Sequence, residues 1–225
     1  MNPILQVDQI SKSYQQGNHR VKVLEQLSMQ ANPGEKIAIL GPSGCGKSTL
    51  LSLLAGLDKS DSGTVKIEGG NLVTMSEDER TLTRSQKLGI VFQQYHLMRN
   101  LTAVENAGLP LEILGENDYA ERASKVLNEV GLSHRLNHFP SELSGGECQR
   151  VAIARAIITR PALVLADEPS GNLDQKTGED VMDLLFSLCT QHKITLVLVT
   201  HNQELARCCD RALLLRDGSL HNLNQ

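Results

Sequence analysis

Lys36-Ile37-Ala38-Ile39-Leu40-Gly41-Pro42-Ser43-Gly44-Cys45-Gly46-Lys47-Ser48-Thr49-Leu50-Leu51 is the stretch whose reading decides the fold. After Lys36, residues 37–40 form an apolar run without alternation, as a buried strand requires, and Leu50, Leu51, Leu53, Leu54 and Leu57 further on suit the apolar face of a helix. Between strand and helix, residues 41–48 fit the spacing G-x-x-x-x-G-K-[ST]. The glycines let backbone N–H groups close around an anion, and the helix start adds its positive end. In such a loop Lys47 reaches the β- and γ-phosphates of a nucleoside triphosphate and Ser48 offers its hydroxyl to Mg²⁺, with Pro42, Ser43, Cys45 and Thr49 completing the cradle. A glycine turn that merely precedes a helix is the plainer reading; the flanking strand and helix argue against it.

Upstream, residues 4–40 alternate β-like runs at 4–7 and 21–29 with the turn Asn32-Pro33-Gly34, which predicts a small β layer feeding the central strand. Downstream, Gly69-Gly70 punctuates a hairpin-like stretch at 65–73. From about 97 to 158 helical periodicity dominates, as in Ala123, Val126, Leu127 and Val130. Apolar runs at 162–166 and 194–199 flank an amphipathic helix with Val181, Leu184, Leu185 and Leu188 inward, which predicts parallel strands buried on both faces. The expected architecture is α/β. A single domain over 1–225 combines a mostly parallel P-loop core at about 1–93 and 160–225, an antiparallel β layer and a helical subdomain at about 94–159.

The 225 residues, 40% hydrophobic and 21% charged, suffice for one sizeable core. Net charge is −4 with both signs mixed along the chain, so no basic stripe marks a nucleic-acid ligand, and 3% aromatics without Trp offer no base-stacking platform. The start, MNPILQVDQISKSY, lacks the features of a secretory signal, and no apolar run approaches ~18 residues; the chain itself is expected neither to cross a membrane nor to leave the cytosol. Five cysteines without metal-type spacing read as reduced thiols.

Two further stretches carry chemistry. Leu163-Val164-Leu165-Ala166-Asp167-Glu168 puts two carboxylates at the end of a buried parallel strand, where open α/β sheets bind ligands. Asp167 fits the acid that holds Mg²⁺, and Glu168 the base that polarises an attacking water. In Leu143-Ser144-Gly145-Gly146-Glu147, Ser144 and Glu147 make a capping box, and the double glycine exposes N–H groups as a second anion site. Two anion sites for one nucleotide suggest a site shared between chains.

In this order, and over essentially the whole chain, the P-loop, Leu143–Glu147 (LSGGE), the 163–168 run and Ser170-Gly171-Asn172-Leu173-Asp174 resemble ABC ATPases. LSGGE discriminates, because P-loops and paired acids occur in many unrelated NTPases. The resemblance implies that Tyr14 stacks on adenine, Gln93 touches Mg²⁺ and water at the junction into the helical block, Asp174 is the D-loop aspartate, and His201 hydrogen-bonds the γ-phosphate. It also implies MgATP held between two copies, with Ser144, Gly145 and Gly146 of one over the phosphate bound by Lys47 of the other. An integral membrane permease subunit would be the partner, making the chain peripheral at the cytoplasmic face of the inner membrane.

Residues 141–157 with 166–174 look like the LolD/MacB/YbbA group of that family, which implies export-side or mechanical work. Cys148 stands where many relatives have Gln or Arg, and Ser170 where Thr is usual. The alternative is a soluble ABC ATPase remodelling nucleic-acid or ribosome complexes. Against it stand the absent coiled-coil insertion and the single cassette. A small-molecule kinase would not need LSGGE.

Overall fold

A computed structural model describes residues 2–17 and 19–223. The chain falls into two units: the first runs to Arg84 and resumes at Thr195, and the second is Ser85–Ile194.

In the first unit, β1 (Leu5–Gln16) pairs antiparallel with β2 (His19–Ala31), and β4 (Ser62–Ile67) pairs with the other edge of β1. Register irregularities between Val7 and Ser13 let β1 run well past the apolar 4–7 segment, with Leu5, Val7 and Ile10 buried. A hairpin joins β4 to β5 (Gly70–Asn71), but its turn is Glu68-Gly69, with φ of 46° and 81°, one position ahead of the Gly-Gly pair.

The parallel core of this unit has β3 (Lys36–Leu40) between β8 (Thr195–Val199) and β9 (Arg211–Arg216), with β10 (Ser219–Asn222) antiparallel on β9. Every residue of β8 is buried, and so is β3 beyond Lys36, as their unalternating sequences require. Helix α1 (Lys47–Leu54) follows β3 and stops sooner than its leucine spacing suggests. Gly56 turns left-handed, and Leu57 lies outside the helix at 55% exposure instead of on its apolar face. The short α7 (Gln203–Arg207) packs on β3 and β9.

After β5 comes α2 (Glu77–Lys87), whose last three residues open the second unit and whose only apolar residue, Leu82, is exposed. In the second unit β6 (Leu88–Phe92) runs parallel to β7 (Leu163–Asp167), from Leu88↔Leu163 to Phe92↔Asp167. Helices α3 (Ala103–Ile113), α4 (Tyr119–Glu129) and α5 (Gly145–Ile157) form the helical block, and α6 (Gln175–His192) buries Val181, Met182, Leu185 and Leu188 while Leu184 is only half-buried. Among the described residues no helix is long and apolar enough to cross a membrane.

Candidate functional site

In each unit candidate residues lie at the carboxyl ends of parallel strands, where strands feed into loops, while Tyr14 sits on the antiparallel β1 and Ser144–Glu147 at the start of α5. In the first unit Ile39 and Val199 are register partners and the Thr200 N–H donates to the Ile39 carbonyl at 3.2 Å, so Gly41 and His201 leave the sheet side by side. A side chain at Gly41 has no room, since its Cβ would sit 2.6 Å from Cys45 Sγ and 2.7 Å from the Leu215 carbonyl oxygen. Gly46, at φ 104°, occupies the cap position of α1 without any side-chain cap, which leaves the helix start suited to an anion. Lys47 is 8% exposed, and its ammonium donates to the Gly41 and Pro42 carbonyls at 2.8 and 2.9 Å. Pro42, Ser43, Gly44 and Ser48 are exposed around it, with Thr49 half-buried on α1. The exposed His201 borders a cavity of about 550 Å³ together with Gly41, Pro42 and Arg207.

Tyr14 lies within β1, opposite Val21, and is 42% exposed. Its hydroxyl donates to Asp58 at 2.8 Å, while Lys12 pairs with the same carboxylate at 2.7 Å and stands 4.9 Å from the ring centroid. Partial burial alone would raise the Asp58 carboxyl, but hydrogen bonds from Lys12 and Tyr14 outweigh it and hold the group below the usual carboxylate range. Burial and the bond to Asp58 push the Tyr14 phenol up.

In the second unit the pairing Phe92↔Asp167 brings Gln93 and Glu168 out at the same end of adjacent strands. Glu168 is left-handed (φ 44°), and its carbonyl accepts the Gly171 N–H at 2.9 Å, which folds residues 168–171 into a tight turn. Gln93 and Asn172 hydrogen-bond reciprocally across that turn. Asp174 caps α6 through the Thr177 N–H at 3.1 Å; the Thr177 side chain and that N–H hold its carboxyl below the ordinary range.

Ser144 and Glu147 form the reciprocal capping box that their spacing predicts, with bonds of 3.3 and 2.8 Å, and Arg135 adds an ion pair to Glu147 at 2.9 Å. The Ser144 N–H is the main reason the Glu147 carboxyl is held low. Ser144 and Gly145 are exposed, Leu143 and Glu147 half-buried and Gly146 buried. The double glycine also serves packing: a Cβ at 145 would lie 2.9 Å from the Tyr95 hydroxyl, and one at 146 would lie 2.5 Å from the Thr177 methyl.

Several supporting residues escape the sequence reading. Arg155, the sole cation in the apolar run 151–158, donates to the Tyr95 and His96 carbonyls at 2.7 and 2.6 Å. That isolated charge was a usable signal. Gln149, fully buried, donates to the Phe92 carbonyl at 3.3 Å. The Lys12–Asp58 pair had no local signal, and Asn172, although inside the 170–174 motif, had nothing to mark its bonds to Gln93.

The oxygens of Ser48, Gln93 and Asp167 are hard donors of the kind Mg²⁺ takes beside phosphate. A family model described as ABC transporter matches residues 24–171. The lipoprotein-releasing system ATP-binding protein LolD of Psychrobacter arcticus is 49% identical over 225 residues, covering 99% of this chain and 100% of its own length. LolD of Coxiella burnetii is 48% identical over 98% of this chain and 96% of its own, and YbbA of Escherichia coli K12, named as an uncharacterized ABC transporter ATP-binding protein, is 47% identical over 96% of each. Among solved structures, dimeric MJ0796, a bacterial ABC transporter cassette, matches with a TM-score of 0.88 at 38% identity over 98% of this chain and 99% of that one. A dimeric post-hydrolysis form of the same cassette, bound to ADP and Pi, matches equally. With strand-end acids, a bare P-loop helix start and a capped LSGGE helix in the family's order, the chain belongs to the ABC transporter family, as an ATP-binding and ATP-hydrolysing subunit.

Proposed function

We propose that two copies of this chain clamp MgATP head to tail, and that closing and reopening of the pair drives an integral membrane permease subunit in lipoprotein release or related export-side work. The chain would act peripherally at the cytoplasmic face of the inner membrane. The observation that carries this reading is the pair of dissimilar helix starts: α1, without a side-chain cap and with Lys47 at its first position, and α5, capped by Ser144 with Ser144 and Gly145 exposed. One triphosphate fills one such cradle. The second is then available to the nucleotide of another copy, an arrangement supported by the dimeric state of the MJ0796 cassette. The names of the LolD relatives support the lipoprotein-releasing assignment.

In this reading residues 41–49 wrap the phosphates, Lys47 neutralises the β- and γ-oxygens, and Tyr14 stacks on adenine. Ser48, Gln93 and Asp167 would hold Mg²⁺, which supplies charge neutralisation on the phosphate oxygens. Glu168 accepts a proton from the water attacking the γ-phosphorus as the bond to the ADP oxygen breaks. His201 hydrogen-bonds the γ-phosphate, and Leu143–Glu147 of the other copy cover it, with Asp174 at the same seam. The core at about 1–93 and 160–225 carries the chemistry, and the helical block at about 94–159 carries the signature helix.

Mixing Lys47→Ala with Ser144→Arg protein tests the shared site. A heterodimer then holds one doubly damaged site and one intact site, whereas each homodimer has none. ATP-dependent association, followed by light scattering, should return in the mixture. No recovery at any ratio, with heterodimers independently confirmed, refutes the sandwich.

A further inference from the structure

The turn after Glu168 fixes which face of the Gln93 amide is presented. The Asn172 Nδ2 donates to the Gln93 main-chain carbonyl at 3.0 Å. A carbonyl oxygen only accepts, so the Asn172 amide is orientated by that bond and its Oδ1 must point the other way. The Gln93 side-chain atom 3.1 Å from that Oδ1 is therefore the donor Nε2. Gln93 Oε1 then faces away from Asn172. Gly171 completes the seat: a Cβ there would lie 2.7 Å from Gln93 Nε2 and 3.1 Å from its Cδ. Gly171 is not in the left-handed region, so space and not backbone freedom calls for glycine. The tightest obstacle to alanine is the end of a flexible side chain, with the Glu168 carbonyl oxygen next at 3.2 Å, so alanine should push Gln93 aside while the 168–171 turn gives by a few tenths of an ångström.

We infer that Asn172 and Gly171 are positioning residues that set the flip of the Gln93 amide, so that oxygen and not NH₂ meets the cation. The inference rests on the metal role proposed for Gln93. A hard divalent cation takes amide oxygen and is repelled by the NH₂ edge, and outer partners of this kind typically govern metal affinity by about 10- to 100-fold. Phe92↔Asp167 pairing puts this seat beside the strand end that carries Asp167, the other metal candidate in the same unit.

The test uses the full chain with AMP-PNP and Mn²⁺ as a paramagnetic stand-in, bound Mn²⁺ being read by EPR and folding by thermal melting. Asn172→Ala and Gly171→Ala should each weaken Mn²⁺ binding about 10-fold, with nucleotide binding in EDTA unchanged. In the Gln93→Ala background, Asn172→Ala should add nothing further, because the group it positions is gone. If Gln93→Ala weakens Mn²⁺ binding while both turn variants leave it intact, or if Asn172→Ala adds its full effect to Gln93→Ala, the positioning role is overturned and the role of Gln93 stands. If Gln93→Ala itself leaves Mn²⁺ binding unchanged, both fall. Should Asn172→Ala fail to fold, Gly171→Ala carries the test alone.

Discussion

Tyr14 illustrates how much of the candidate site is settled by single side chains. Its ring is clasped by one distant and one near partner: Asp58, 44 residues on, takes the hydroxyl, and Lys12, two positions back on the same strand, bridges Asp58 and the ring. Only the family resemblance pointed to Tyr14; nothing in the local pattern could have named Asp58, because a lone acid in a loop looks like any other. The clasp separates two effects that substitution can resolve. Tyr14→Ala should weaken ATP binding by roughly 5- to 150-fold, the range that base stacking on an aromatic supplies. Tyr14→Phe keeps the ring and loses the hydroxyl with its hydrogen bonds to Asp58 and Thr49, so about 2- to 3-fold is expected, at the low end of the net hydrogen-bond scale for an exposed site. Because every base has a π face, GTP should suffer as much as ATP. Titration of a fluorescent nucleotide analogue in competition with ATP and GTP reads all three. An alanine variant that binds ATP as tightly as the parent would remove Tyr14 from the base.

Helix starts are the elements most directly encoded, since a capping box needs only four consecutive residues. Both Ser144/Glu147 and Thr102/Glu105 form one, and the same S-x-x-E spacing at Ser76/Glu79 marks the start of α2 through reciprocal hydrogen bonds. The buried parallel strands β7 and β8 were equally legible, because an apolar run bounded by turns has few other uses. In contrast, α2 lacks an apolar stripe, α7 spans only five residues, and β9 mixes two arginines with its leucines, so no period emerges. Thr102→Ala should cost ~1 kcal/mol through loss of the cap on α3, lowering the melting temperature by about 2–4 °C for a chain of this size. The Thr102 hydroxyl and N–H hold the Glu105 carboxyl below its ordinary 4.5. A depressed carboxyl stabilises fully above the unfolded value and loses that contribution as pH falls through the lower, folded one. The gap between variant and parent melting temperatures should therefore narrow only below about pH 4.5. An unchanged gap at pH 3 would place the effect outside the box.

At the scale of the whole molecule, the question is what holds two copies together and what releases them. Each copy carries a net charge of −4, and each bound triphosphate adds further negative charge, so self-association without specific contacts is disfavoured. Under the proposed sandwich the γ-phosphate supplies those contacts, and cutting it removes them. Glu168→Gln isolates this step: the amide cannot take a proton from the attacking water, so hydrolysis should fall at least ~100-fold while ATP binding persists. The substitution also removes one negative charge per copy, and reduced repulsion could by itself favour pairing. ADP separates the two causes. If retained γ-phosphate is the glue, gel filtration of Glu168→Gln should give dimer with MgATP and monomer with MgADP, because the charge change is present in both. A dimer in both nucleotides would assign pairing to charge, and a monomer with MgATP despite blocked hydrolysis would remove the γ-phosphate from the interface. Raising the salt concentration adds a second axis: repulsion is screened within about 10 Å at 0.1 M salt, so charge-driven pairing should track ionic strength. Pairing held by ordered contacts around a phosphate should instead track the nucleotide.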